Sequence, residues 1–158
     1  MGNIFSASEI VELGIEIEKN GRDFYQTVSE KSKNNKAAGI FQYLSREEKK
    51  HIEVFRGILN KIGQYEPQGL DADEYPAYMK DLAEKCIFTR KDQGQLIALA
   101  VTSDKEAVDK GIGFEKDSIV FYEGIKKTVP DYDRKVVDEL IVQEENHLKQ
   151  LLDLKVTL

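Results

Sequence analysis

A chain of 158 residues can bury most of its apolar side chains in one core and is too short for two ordinary domains, so residues 1–158 are expected to form one unit. Its 29 acidic and 23 basic residues give a net charge of −6, which repels phosphate backbones and anionic lipid and argues against nucleic-acid and membrane partners. A single cysteine, Cys86, excludes an internal disulfide and a four-cysteine metal site; with no run of about eighteen apolar residues and no leader-like start, a soluble cytoplasmic protein is expected.

Ser6 followed by Glu9 has the spacing of a capping box, in which the serine oxygen takes an orphan amide proton and the glutamate reaches back to the cap amide. The first helix then runs without proline to about Asn34. Its stripe is Val11, Gly14, Glu18, Gly21, Tyr25 and Val28, at three- and four-residue steps. A short Lys33-Asn34-Asn35 joint makes the second helix, about Lys36 to Ile62, an antiparallel neighbour. Its stripe is Phe41, Leu44, Glu48, His51, Phe55, Ile58 and Ile62, with Gly63 placed to end it in a left-handed cap.

Residues 64–102 contain Pro67, Gly69, Pro76 and Gly94 and cannot form one continuous helix. They read as a crossover holding a short helix near Ala77–Lys85 and an apolar helical piece near Gln95–Val101 packed on the bundle. Ser103 and Glu106 repeat the capping box and open a third helix with the stripe Val108, Gly111, Glu115, Ser118, Tyr122 and Ile125. After Pro130 and Asp131 a fourth carries Val137, Leu140, Glu144, His147, Leu151 and Leu154. The fold class expected is all-α: a four-helix bundle of two helix pairs, 6–63 and 103–156, joined by a crossover of near forty residues long enough to set the third helix parallel to the second.

The two pairs copy one another. Ser6–Glu9 falls on Ser103–Glu106, Glu18-Lys19 on Glu115-Lys116, Phe24-Tyr25 on Phe121-Tyr122 and, after one residue is dropped, Glu48-Lys49-Lys50-His51 on Glu144-Glu145-Asn146-His147. Each half thus supplies one glutamate and one Glu-x-x-His. A carboxylate taken out of water costs several kcal/mol unless a partner charge is present, and no lysine or arginine shares these stripes. Two divalent cations would neutralise Glu18, Glu48, Glu115 and Glu144. Within each Glu-x-x-His the side chains lie about 4.5 Å apart along the axis at 1.5 Å per residue, so both reach one ion, and the glutamate can bridge to a second. Carboxylate with imidazole suits iron, or manganese, and zinc would also bind.

The plainer reading of a single Glu-x-x-His is a solvated or core-satisfied pair; duplication and seam placement favour metal. Tyr25 and Tyr122, two turns from Glu18 and Glu115, are expected to pack, with hydrogen bonding near the metal as the alternative. Glu47 and Glu145 are expected in solvent, and the seam glycines to leave room for metals and an exogenous ligand.

These residues resemble the ferritin-like di-iron carboxylate superfamily, and within it the erythrin domain of rubrerythrin, to which Ile15-Glu16-Ile17-Glu18-Lys19 with Phe24-Tyr25 is similar. The resemblance implies metal ligands Glu18 and Glu115 as terminal carboxylates, Glu48 and Glu144 as bridges, and His51 and His147 each capping one of two iron ions. It implies an oxidoreductase that reduces hydrogen peroxide or dioxygen, and a homodimer. The family's further helix-three glutamate is Ser118 here, and no rubredoxin-like segment is present, so the electron donor is expected to be a separate protein such as a rubredoxin. A ferroxidase or other iron-handling protein, and a non-catalytic metal-stabilised helical module, are the alternatives.

Overall fold

The computed structural model describes residues 7–64, 81, 90–127, 129 and 131–158. Five helices hold them: α1 (Ala7–Lys31), α2 (Asn35–Gln64), α3 (Gln93–Ala100), α4 (Asp104–Lys126) and α5 (Asp131–Thr157), with no strand among the described residues. The four long helices are as expected. Ser6, the Ala77–Lys85 helix apart from helical Asp81, Cys86 and Pro130 lie outside the described residues.

Cross-links fix the directions. Ser45 Oγ donates to the Arg22 carbonyl at 2.9 Å while Gly14 faces Phe55, so α1 and α2 run antiparallel. Lys126 pairs with Asp138 and Lys155 with Asp109, each at 2.8 Å, which makes α4 and α5 antiparallel. Between the pairs, Gly14 meets Ile125 and Gly21 meets Phe114, so α1 also opposes α4. It follows that α2 and α4 are parallel, the relation a long crossover was expected to allow. The halves are related by a pseudo-twofold axis.

Every residue of the four stripes whose side chain is described is buried. Phe24, Tyr25, Phe41, Phe55, Phe121 and Tyr122 are the largest fully buried side chains of the core. Aromatic packing links the halves directly: Phe55 lies 5.0 Å from Tyr122 and Phe114 5.9 Å from Tyr25, ring centre to ring centre.

Local chemistry sets the helix ends, with three departures from expectation. Asn34 Oδ1 accepts from Lys36 N at 3.0 Å and Ala37 N at 3.1 Å, capping α2. Gly63 is helical rather than a cap, because glycine permits a left-handed conformation without requiring one, and α2 runs on to Gln64. At α4, Ser103 Oγ accepts from Glu106 N at 3.1 Å, yet Glu106 Oε2 turns to the Thr102 hydroxyl at 2.8 Å instead of the Ser103 amide, so only half the capping box forms. Gly94 lies inside α3 and not at a break. A Cβ there would strike the Asn20 carbonyl, and only glycine lets α3 sit so close on α1.

The described end of the crossover is clamped to α1 at both ends. Asn20 Nδ2 donates to the Arg90 carbonyl at 2.8 Å and its Oδ1 accepts from Gly94 N at 3.0 Å. Lys31 Nζ donates to the carbonyls of Ala98 (3.0 Å), Leu99 (2.8 Å) and Val101 (2.5 Å), at and just beyond the C-terminus of α3. No helix among the described residues is long and apolar enough to cross a membrane.

Candidate metal centre

The seam positions bring Glu18 from α1, Glu48 and His51 from α2, Glu115 from α4, and Glu144 and His147 from α5 into one buried cluster. None exceeds 2% exposure. Their oxygens and ring nitrogens fall into two overlapping sets: Glu18, Glu48, His51 and Glu144, and Glu48, Glu115, Glu144 and His147, each with ligand atoms within 4.8 Å of one another. Glu48 and Glu144 belong to both. All six sequence-selected residues are therefore brought together, with a central pair of carboxylates flanked by one glutamate and one histidine on each side.

Both histidines turn Nδ1 inward. His51 Nδ1 lies 2.7 Å from Glu144, 3.4 Å from Glu18 and 3.7 Å from Glu48. His147 Nδ1 lies 3.2 Å from Glu48, 3.7 Å from Glu115 and 3.8 Å from Glu144. The rings stack 5.7 Å apart at 14°. On the outside, Gln143 Oε1 sits 2.6 Å from His51 Nε2, a contact that spacing alone did not reveal.

Several polar atoms in this dry space have no hydrogen-bond partner: one oxygen each of Glu18, Glu48 and Glu115, both oxygens of Glu144, and Nδ1 of His51, whose 2.7 Å approach to Glu144 lacks hydrogen-bond alignment. Each orphan in a buried site costs about 1–3 kcal/mol, more if charged. Lone pairs aimed at a common point with no lysine or arginine among the described residues paired to them fit a divalent cation on each side.

Protonation tells the same story. Burial, aided by neighbouring carboxylates, pushes Glu18 and Glu144 well above the usual carboxylate range and Glu115 upward too. Burial also acts upward on Glu48, but hydrogen bonds from Glu18, His147 and His51 outweigh it and hold that carboxyl low. Burial would lower both histidines; the surrounding carboxylates prevail, raising His51 strongly and His147 to about 10. Without cations the cluster is a proton store, the response expected of acids crowded in a low-dielectric seam.

The tyrosines do more than pack. Tyr25 donates to Glu115 Oε1 at 2.7 Å and Tyr122 donates to Glu18 Oε1, each from the opposite half. Burial and adjacent carboxylates push both phenols well above their ordinary value, so they remain donors. Antiparallel α1 and α4 set each tyrosine opposite the other helix's glutamate, an exchange invisible within either helix.

Two other expectations need correction. The glycines open no ligand space: a Cβ on Gly21 would meet the Phe114 ring at 2.5 Å and one on Gly14 would meet Ile125 at 3.0 Å, so apolar side chains already fill the gaps. Glu47 is not free in solvent; its side chain is 16% exposed, paired with Lys50 at 2.8 Å. Although burial acts upward on it, Lys50 and then the charges of His147 and His51 hold its carboxyl below the usual range. Glu145 is exposed as expected. Ser118 spends its hydroxyl on the Phe114 carbonyl at 2.8 Å and offers the cluster no ligand.

Comparison with known proteins agrees with this geometry. The family model described as Rubrerythrin matches residues 9–155. Among solved structures the chain is similar to a protein of Thermotoga maritima described as a ferritin-like diiron-carboxylate protein, at 30% identity and a TM-score of 0.66, covering 98% of this chain and 97% of that one. No curated protein matches.

Proposed function

The chain belongs to the rubrerythrin family, and from that premise we propose that it is a di-iron oxidoreductase that reduces hydrogen peroxide or dioxygen with electrons from a separate donor protein such as a rubredoxin. The observation that carries the reading is the sharing of Glu48 and Glu144 by two otherwise separate ligand sets. Glu18 and His51 would hold one iron, Glu115 and His147 the other, and the shared carboxylates would bridge them. Manganese or zinc could use the same donors, but an oxygen-rich set with one imidazole per ion suits a redox-active iron.

Bound as a pair, ferrous ions would supply Lewis acidity and one electron each, the two electrons that with two protons from solvent convert peroxide to two waters. The protein's own part is positional. Buried Tyr25 and Tyr122 hold the terminal glutamates by their hydroxyl protons. The aromatic packing keeps bulk water from the seam, which strengthens every charge interaction inside it. With Ser118 tied to backbone, its position adds no further ligand to the six. The assembly is taken to be a homodimer in the cytoplasm, checked by sedimentation of the loaded protein and by cell fractionation.

The deciding experiment is metal analysis of protein made in iron-rich medium, followed by stopped-flow mixing of the anaerobically reduced form with peroxide. Two irons retained per chain and peroxide consumed in step with their oxidation are expected. Iron that leaves after each oxidation would make it the substrate of a ferroxidase. Bound iron with no consumption of peroxide or dioxygen would reduce the site to a structural clamp in a helical module.

A further inference from the structure

Gln143 stands one residue before Glu144, and the register that lays Glu144 and His147 on Glu48 and His51 lays Gln143 on Glu47. The position that gives His51 its outer partner therefore holds a neutral amide, and the matching position beside His147 holds an acid. At His51, the amide oxygen 2.6 Å from Nε2 can only accept, so Nε2 carries a proton and Nδ1 is left to face the carboxylates. At His147, Tyr43 links the ring to the acid: it stands edge-on to His147 at 6.2 Å and its hydroxyl donates to Glu47 Oε1 at 3.4 Å. Lys50 pairs with Glu47 at 2.8 Å, but Lys50 is 74% exposed, and an ion pair so open to water is heavily screened.

We infer that Gln143 and Glu47 are positioning residues for His51 and His147, and that the neutral and anionic partners make the two cation positions unequal, the His147 position filling first. An anionic neighbour adds attraction for a nearby cation and, where it accepts the outer ring proton, raises the basicity of the ligating nitrogen; a neutral amide fixes ring orientation with less of either. The inference rests on the two-metal reading above.

Anaerobic titration of the full chain with Co²⁺, followed by its visible absorption, tests both. Wild type should take up two ions in steps separated by about tenfold or more, the scale on which outer partners act. Gln143→Glu should tighten the weaker step and narrow the gap. Glu47→Gln should narrow it from the other side by weakening the tighter step, and Gln143→Ala should widen it. Each metal-free variant should still melt cooperatively by circular dichroism, so that the uptake steps are read on a folded bundle. Two equal steps in wild type, or variants that move neither step or the opposite one, would overturn the ordering while leaving the two-metal reading intact. No cobalt uptake at all would overturn that reading itself.

Discussion

The first and second halves of this bundle present the same ligands in different settings. Glu18, Glu48 and His51 answer Glu115, Glu144 and His147 position for position, and all six are buried. Around them the copies diverge: Gly21 faces the Phe114 ring where Ser118 bonds its own helix, and Glu47 stands where Gln143 does. The acids and histidines of the cluster are what the two halves share. Outside it, each half shapes its own surroundings.

The largest break in that symmetry comes from removing a shared carboxylate. Glu48→Ala and Glu144→Ala should each abolish the metal pair, whereas His51→Ala and His147→Ala should each lose one ion. Metal-dependent stabilisation, about 4 kcal/mol when free metal exceeds Kd a thousandfold, should vanish in the glutamate variants and persist in part in the histidine ones. Elemental analysis and thermal melting with and without iron check this; unchanged stoichiometry in both glutamate variants would refute the bridging assignment.

Acid and base should then separate the metal-free from the loaded protein. Glu18, Glu115, Glu144, His51 and His147 all have folded values above their unfolded ones, so between those values the native chain holds more protons. Stability of the metal-free form therefore falls as pH rises through the raised glutamates and on toward about 10 for His147. Glu48 acts the other way, and its contribution is lost only as pH drops through its depressed value. Melting temperature between about pH 6 and pH 9 should decline without metal and hold or rise with it, since ligands must lose protons to bind. A metal-free melting curve that climbs over this range would contradict the crowded-acid account.

The sequence was most legible where one physical demand acted on every turn. Burial at three- and four-residue steps picked out the stripes, and the repeat singled out acids that a greasy seam cannot tolerate alone. It was least legible where a contact depends on how helices meet. The Tyr25–Glu115 and Tyr122–Glu18 bonds cross between halves, Gln143 reaches from α5 to α2, and Phe114 fills the gap over Gly21; none has a signature within its own helix. Gly94 looked like a breaker because its contact, the Asn20 backbone, lies seventy-four residues away.

Those cross-half bonds offer a smaller, sharper test. In the metal-loaded protein, where Glu115 and Glu18 are carboxylates, Tyr25→Phe should cost about 1.5–3 kcal/mol, the range for a hydrogen bond to a charged group, and Tyr122→Phe a similar amount. In double-mutant cycles Tyr25→Phe should couple to Glu115→Gln and not to Glu18→Gln, with Tyr122→Phe showing the converse. Coupling within the same half would mean that the tyrosines serve their own helices and that the exchange between halves is not what holds the terminal glutamates.

The smallest effect expected is steric, and it separates the halves by shape alone. A methyl at Gly21 meets the Phe114 ring at 2.5 Å and 2.8 Å, whereas one at Gly111 meets Leu151 at 3.1 Å and Tyr25 at 3.3 Å. Overpacking costs about 1–3 kcal/mol where neighbours cannot move, and glycine to alanine within a helix returns about 1 kcal/mol of propensity. Gly21→Ala should therefore come out destabilised, by less than the steric cost alone, because a rigid ring backed by Tyr25 must shift. Gly111→Ala should be near neutral, since the methyl terminus of Leu151 gives way more easily than a ring. Equal melting temperatures for the two variants would show that Phe114 moves freely, and the aromatic seal over the first half would then be looser than its contacts imply.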